Sequence, residues 1–320
     1  MKNISNMYCS KIKINLHHNE TAFSAIKKIL KELLFVMQYN EQGIIDCLDG
    51  EFLHDYRVAT RKSRSIFTQL KNVYNKNLTK NLNEKFKAIA SSTNQLRDLD
   101  VFLINRQFYS DLLNKQDNRL LLLLFQELEK NREQAYRNVV KNISSSEYKT
   151  FIHELNEFLV NDKKEQKNIN SDLEIISVVN KQINQRYNKI VKIGNNIQPS
   201  TANKKFHELR IHFKKLRYLV ELFSSLYSKN NLLVFIEELK EIQDHLGKIN
   251  DYTTQHSIVI QYLETLDNEF DNITQYKKML LDFIKTIDNE QKLEITLFLN
   301  TFKNFTKPNN RTLFQSIFSF

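Results

Sequence analysis

Apolar residues recur at three- and four-residue spacing from Phe23 to Met37, from Leu53 to Val73 and from Leu82 to Phe108. That is the period of helices that turn one face towards a core. The same period predicts helices near Leu120–Val140, Tyr148–Leu159, Leu173–Val191, Phe206–Leu226, Leu232–Leu263 and Ile273–Phe305. Four Gly and two Pro in 320 residues leave little of the punctuation that turns and all-β folds need. The expected fold class is therefore all-α.

Between these stretches, residues 161–172 (NDKKEQKNINSD) are polar and lack an apolar period, and they read as a connection between two halves. A search for an internal repeat supports the division. An offset of 153 residues sets Leu53-His-Asp-Tyr-Arg-Val on Phe206-His-Glu-Leu-Arg-Ile. It then sets Arg61 on Lys214, Lys62 on Lys215 and Arg64 on Arg217, and without a gap Lys87 on Lys240, Leu96 on Ile249 and Asp98 on Asp251. Gly43 and Gly50 precede the first of these helices, and Gly194 and Pro199 the second, as turn-forming residues. The expected organisation is a helical region at 20–305, with halves at about 20–160 and 173–305, flanked by tails at 1–19 and 306–320.

On a helix, His54, Arg57, Arg61 and Arg64 fall within a sector about 80° wide and about 15 Å long. Tyr56, Ala59, Ile66, Phe67 and Leu70 occupy a different face suited to packing. His207, Arg210, Lys214 and Arg217 form the corresponding stripe, backed by Leu209, Phe213, Leu216, Val220 and Phe223. Neither Arg57–Arg64 nor Arg210–Arg217 contains an acidic residue, so the i,i+4 pairs that usually neutralise a solvated helix face are missing. Uncorrected self-repulsion points to an external anion. Arginine suits phosphate oxygens because its planar fork donates two parallel hydrogen bonds, while Lys62, Lys214 and Lys215 act as point charges. A second motif, Asn94-Gln-Leu-Arg-Asp-Leu-Asp100, pairs with Leu246-Gly-Lys-Ile-Asn-Asp251. It places Asp98 and Asp251 at equivalent points, as candidates to orient guanidinium groups.

Composition agrees with this reading. Forty-seven basic and thirty-seven acidic side chains give a formal charge of +10, which favours an anionic partner. Cys9 and Cys47 show no CxxC spacing, so neither a disulfide framework nor a thiol metal site is indicated, and a reducing cytosol is expected. The opening segment lacks the apolar stretch of a secretory signal, and Leu120–Phe125 is far too short to span a membrane.

Taken together, HDYRVATRKSR at 54–64, LRDLDV at 96–101, HELRIHFKKLRY at 207–218 and LKEIQDHLGKIND at 239–251 resemble the CHAD domain. The resemblance runs from about Glu20 to about Phe305. It implies one compact domain of two pseudo-symmetric four-helix halves, whose basic helices line a central groove that binds inorganic polyphosphate. It further implies a binding module without established catalysis or cofactor, cytoplasmic and associated with polyphosphate granules and their proteins. The anion contacts implied are His54, Arg57, Arg61, Lys62 and Arg64, then His207, Arg210, Lys214, Lys215 and Arg217, with Arg97, Lys87 and Lys240 as secondary choices. Tyr56, Ser63 and Asn94 depart from the family pattern, so the first half of the groove is expected to be shaped differently.

Three other readings use the same residues. His54-Asp55 with Asp98 could form a divalent-metal site of a phosphohydrolase, but adjacent side chains on a helix diverge by about 100°. The second half also replaces the doublet with His207-Glu208. Nucleic acid would meet the charge only non-specifically, because no recognised base-reading motif is present. A protein scaffold would leave the duplicated stripes without a role.

Overall fold

The computed structural model describes residues 14–113, 115–161, 164–266 and 273–318. Among these the chain is helical, with two short 3-10 segments at Lys164–Gln166 and Ser224–Leu226. The first part of the chain contains α1 (Ala22–Ile45), α2 (Gly50–Gln69), α3 (Lys76–Ser92), α4 (Asn94–Ile104), α5 (Arg106–Leu112), α6 (Lys115–Ile143) and α7 (Ser146–Val160). The second contains α8 (Ile175–Gly194), α9 (Asn203–Leu222), α10 (Lys229–Thr265), α11 (Ile273–Phe305) and α12 (Pro308–Phe318).

The 153-residue offset reappears in the helix boundaries. It separates the first residues of α1 and α8, both ends of α2 and α9, and the first residues of α3 and α10. The entries to α1 and α8 are tied reciprocally. Ala22 N–H donates to the Leu173 carbonyl (2.8 Å), and Ile175 N–H donates to the Glu20 carbonyl (2.9 Å). Across the two parts, α1 packs on α8, α2 on α9, α4 on α10 and α6 on α11. A two-fold relation between the parts would produce this pairing of counterparts.

Local chemistry explains the starts. Thr21, Asp49, Asn75 and Ser145 each accept a hydrogen bond from a first-turn amide, at the heads of α1, α2, α3 and α7 respectively. The faces expected to pack do so, with Tyr56, Ala59, Ile66, Phe67 and Leu70 buried on one side and Leu209, Phe213, Leu216, Val220 and Phe223 on the other. Together with the other buried side chains they form one apolar core.

Four sequence expectations change. The stretch Leu82–Phe108 is not one helix but is broken at Thr93 and Asn105 into α3, α4 and α5. Residues 308–318 are a packed helix rather than a tail. Phe314 stacks on Tyr187 with ring centres 3.9 Å apart, and Phe318 lies against Phe235. On the N-terminal side, the described residues of the expected tail are docked as well, with Leu16 N–H donating to Ser225 Oγ (3.1 Å); residues 1–13 lie outside the described residues. Finally, Gly43 lies inside α1 and Gly194 ends α8. A Cβ at either would stand about 2 Å from a ring atom of Phe52 or Phe302, so these glycines admit a ring rather than make a turn.

Candidate functional site: a cationic cavity between α2, α4, α9 and α10

Because α2 packs on α9 and α4 on α10, the two basic stripes converge. A cavity of about 380 Å³ is lined by His54, Arg57, Val58, Arg61, Asn94, Arg97, Asp98 and Val101 from the first part of the chain. His207, Arg210, Lys214, Asn250, Asp251 and Thr254 complete the lining from the second. Five cations thus face two carboxylates, before any contribution from histidine.

The predicted residues divide into three groups. The first, Arg61, Arg97, Arg210 and Lys214, lines the cavity, and among the described residues none of the four makes an ion pair. The Arg210 Nε is buried with no hydrogen-bond partner. Burial, followed by the neighbouring Arg61 charge, lowers the Arg210 pKa, with Asp251 opposing. Burial, Arg210 and Arg61 push the Lys214 ammonium well below its ordinary value. These cations are crowded and desolvated, the state that a bound anion relieves.

Arg57 forms the second group. It also lines the cavity, but it is buried and spends its donors on the protein. It bonds to the Ala90 carbonyl (3.4 Å), the Thr93 hydroxyl and the Asn94 side-chain oxygen (2.9 Å). The α3–α4 break creates this cradle. At the positions equivalent to Thr93 and Asn94, α10 carries Leu246 and Gly247 and runs unbroken, so Arg210 has no such anchor. Burial, then Arg61, lowers the Arg57 pKa to about 9, with Asp98 opposing, which leaves it charged at neutral pH.

Lys62, Arg64, Lys215, Arg217, Lys87 and Lys240, the third group, do not line the cavity. Lys62 (2.9 Å) and Arg217 (2.5 Å) share Glu221, so the expectation of an uncorrected stripe fails at its far end. Although burial opposes ionisation, these two cations hold the Glu221 carboxyl below its usual range. Lys240 pairs with Glu237, and Lys87 is exposed on α3.

Asp98 and Asp251 sit in the cavity at equivalent positions, as expected. Burial raises both pKa values despite the surrounding arginines. His54 is pushed down by burial and by Arg97, so it enters neutral at pH 7. Asn250 was missed as a site residue. It is the counterpart of Arg97, and its Oδ1 holds His207 Nδ1 at 3.0 Å. The offset that aligned Asp98 with Asp251 was the signal that could have found it.

His54 and Asp55 diverge. His54 faces the cavity, whereas Asp55 is buried outside its lining. Among the described residues, no group of three or more His, Cys, Asp or Glu is arranged to hold a metal ion. No helix among them is long and apolar enough to cross a membrane.

The fold and the cavity define an all-helical protein that gathers unpaired cations from two repeated helix pairs. The CHAD domain profile matches residues 28–259, and the chain belongs to the CHAD domain family. Its fold is similar to the crystal structure of the CHAD domain from the plant Ricinus communis. The TM-score is 0.71 at 19% identity, covering 92% of this chain and 97% of that one. PptA from Streptomyces chartreusis is also similar, with a TM-score of 0.64 at 11% identity, covering 89% of this chain and 99% of that one. A sequence search of curated proteins gives no match.

Proposed function

We propose that this protein binds inorganic polyphosphate in the cavity between α2, α4, α9 and α10. The observation that carries the reading is the convergence of Arg61, Arg97, Arg210 and Lys214 in one cavity, with no ion-pair partner among the described residues. A chain with one charge per phosphate unit supplies what such a cavity lacks. Guanidinium forks from opposite walls bind oxygens of successive phosphates, Lys214 adds a point charge, and neutral His54 donates without adding to the repulsion. Asp98 and Asp251, expected to orient the forks, make no hydrogen bond or ion pair to them among the described residues, and instead limit the net charge of the empty cavity. Arg57, already bonded to α3 and α4, positions the wall. Membership of the CHAD family supports the choice of polyphosphate over other anions, and recruitment to polyphosphate granules follows from it.

The test compares long-chain polyphosphate with single-stranded RNA of equal charge over a series of salt concentrations. An Arg61, Arg97, Arg210 and Lys214 quadruple alanine variant is measured alongside. Wild type is expected to prefer polyphosphate, and the variant to lose roughly three units of the salt slope of log K. Equal affinity for both polymers, or an unchanged variant, would overturn the proposal.

A further inference from the structure

A second basic cluster lies outside the cavity, where α2, α8 and α9 meet. Arg186 on α8 donates through Nε to Gln69 Oε1 on α2 (3.1 Å) and through its terminal nitrogen to His212 Nδ1 on α9 (2.7 Å). Gln69 in turn donates to the Lys215 carbonyl (3.0 Å), which fixes the three helices together at this point. The half-buried guanidinium is thus aimed by two neutral acceptors, and its remaining donors have no partner among the described residues. Among the described residues, Arg64, Lys71, Arg186, Lys189 and Lys215 make no ion pair. The acidic neighbour on α9, Glu208, is bonded to Lys205 at 3.0 Å.

This cluster is a departure from the repeat. The counterparts of Arg186, Lys189 and His212 in the first part of the chain are Leu33, Val36 and Ala59, all buried and apolar. The counterpart of Glu221, which neutralises Lys62 and Arg217, is Thr68. One side of the α2–α9 contact is therefore neutralised, while the other carries charge where its counterpart carries core. Like-charge crowding is felt there. Burial, then Arg186, Arg64 and Lys71, lowers the Lys215 pKa, and burial, then Arg186, holds His212 down to about 4, as a neutral partner.

We propose that Arg186, Lys189, His212 and Lys215, flanked by Arg64 and Lys71, form a second phosphate site that takes a further segment of the same polyphosphate chain. The proposal rests on the reading of the cavity as a polyphosphate site. Arg64 stands one helical turn, about 5 Å, beyond the cavity residue Arg61, and Lys215 directly follows the cavity residue Lys214. A long chain leaving the cavity along α2 meets Arg64 next, and Arg64 lies near enough to Lys215 to lower its pKa. Occupying both sites with one chain makes the second contact intramolecular and raises affinity through effective concentration.

The experiment titrates tripolyphosphate and long-chain polyphosphate calorimetrically into three proteins: wild type, Arg186→Gln/Lys189→Gln, and the cavity variant Arg61→Gln/Lys214→Gln. Wild type is expected to take about two tripolyphosphates and each variant about one. The Arg186→Gln/Lys189→Gln variant is also expected to bind long chains at least roughly tenfold more weakly. A Lys71→Gln/Lys189→Gln variant, altered only at exposed positions, guards against a folding defect and is expected to weaken the second tripolyphosphate event. Wild-type stoichiometry and long-chain affinity in both second-site variants would overturn the proposal. An unchanged cavity variant would instead overturn the cavity reading, while loss of one event in Arg186→Gln/Lys189→Gln would still identify the second site.

Discussion

Arg57 and Arg210 are counterparts under the repeat, yet the structure gives them different tasks, and substitution to alanine should separate them. Arg57→Ala removes three hydrogen bonds donated by a buried guanidinium and leaves the Thr93 and Asn94 acceptors without their partner. Bonds to charged groups contribute about 1.5–3 kcal/mol each, but removing a desolvated cation restores part of that. The expected net loss is about 2–4 kcal/mol, or a fall in Tm of roughly 3–6 °C for a chain of this size. Arg210→Ala breaks no hydrogen bond or ion pair among the described residues and removes a charge that burial disfavours, so stability should stay within about 1 kcal/mol of wild type. Its cost should appear in binding: about 1.5–3 kcal/mol, a roughly 10- to 150-fold rise in Kd for polyphosphate, with the salt slope reduced by about one. Thermal unfolding by circular dichroism and polyphosphate binding across a salt series measure the two quantities. Equal Tm losses in both variants, or Arg210→Ala binding with an unaltered salt slope, would refute the division of roles.

Two further outcomes concern pH. Burial, with repulsion from Glu51, raises the Asp55 carboxyl to about 6 against the opposing Lys62, and its Oδ2 is buried without a partner. A carboxyl raised in the folded state gives stability that is present below its unfolded value and lost as pH rises through about 6. Asp55→Asn should therefore raise Tm near pH 7.5, by an amount equivalent to about 1–2 kcal/mol, with the gain vanishing near pH 4; no gain at neutral pH would contradict this. In the cavity, Asp98 and Asp251 are also raised and face Arg57, Arg61, Arg97, Arg210, Lys214, His54 and His207. Protonating them as pH falls removes negative charge, and because both are raised this begins above the usual carboxylate range, so polyphosphate affinity should increase as the pH is lowered. An Asp98→Asn/Asp251→Asn variant should bind more tightly at pH 7 and show a flatter profile; a pH response equal to wild type would exclude these carboxyls as its source.

The parts of this site that were legible in the sequence are those written as a period or a repeat. Helical spacing gave the buried faces of α2 and α9, and the 153-residue offset gave the equivalence of Asp98 with Asp251 and of the two stripes. What the period cannot express is which cations the protein itself neutralises. Glu221 lies one turn beyond the second stripe and takes both Arg217 on its own helix and Lys62 from the facing one, a contact that exists only once α2 packs on α9. The break at Thr93 was likewise hidden, because the apolar period continues across it from Phe86 through Leu96. Asn94 was visible as a departure from the family pattern, and its role as an acceptor for Arg57 emerged only with the tertiary fold.

The differences between counterparts therefore say more about function than their likeness does. A repeat supplies two basic helices at no design cost, but two identical stripes facing each other would repel equally along their whole length. In this chain the repulsion is handled in three ways. Arg57 is anchored into the α3–α4 junction, Arg217 and Lys62 are neutralised by Glu221, and Arg61, Arg97, Arg210 and Lys214 are left to face the cavity. Arg186 extends the unneutralised face on one side alone, because α8 carries charge where α1 carries core. A uniformly charged surface would hold a phosphate chain in any direction. If the proposed cluster on α8 extends the cavity's positive face, a bound phosphate chain should run along that side in preference to the side that Glu221 neutralises.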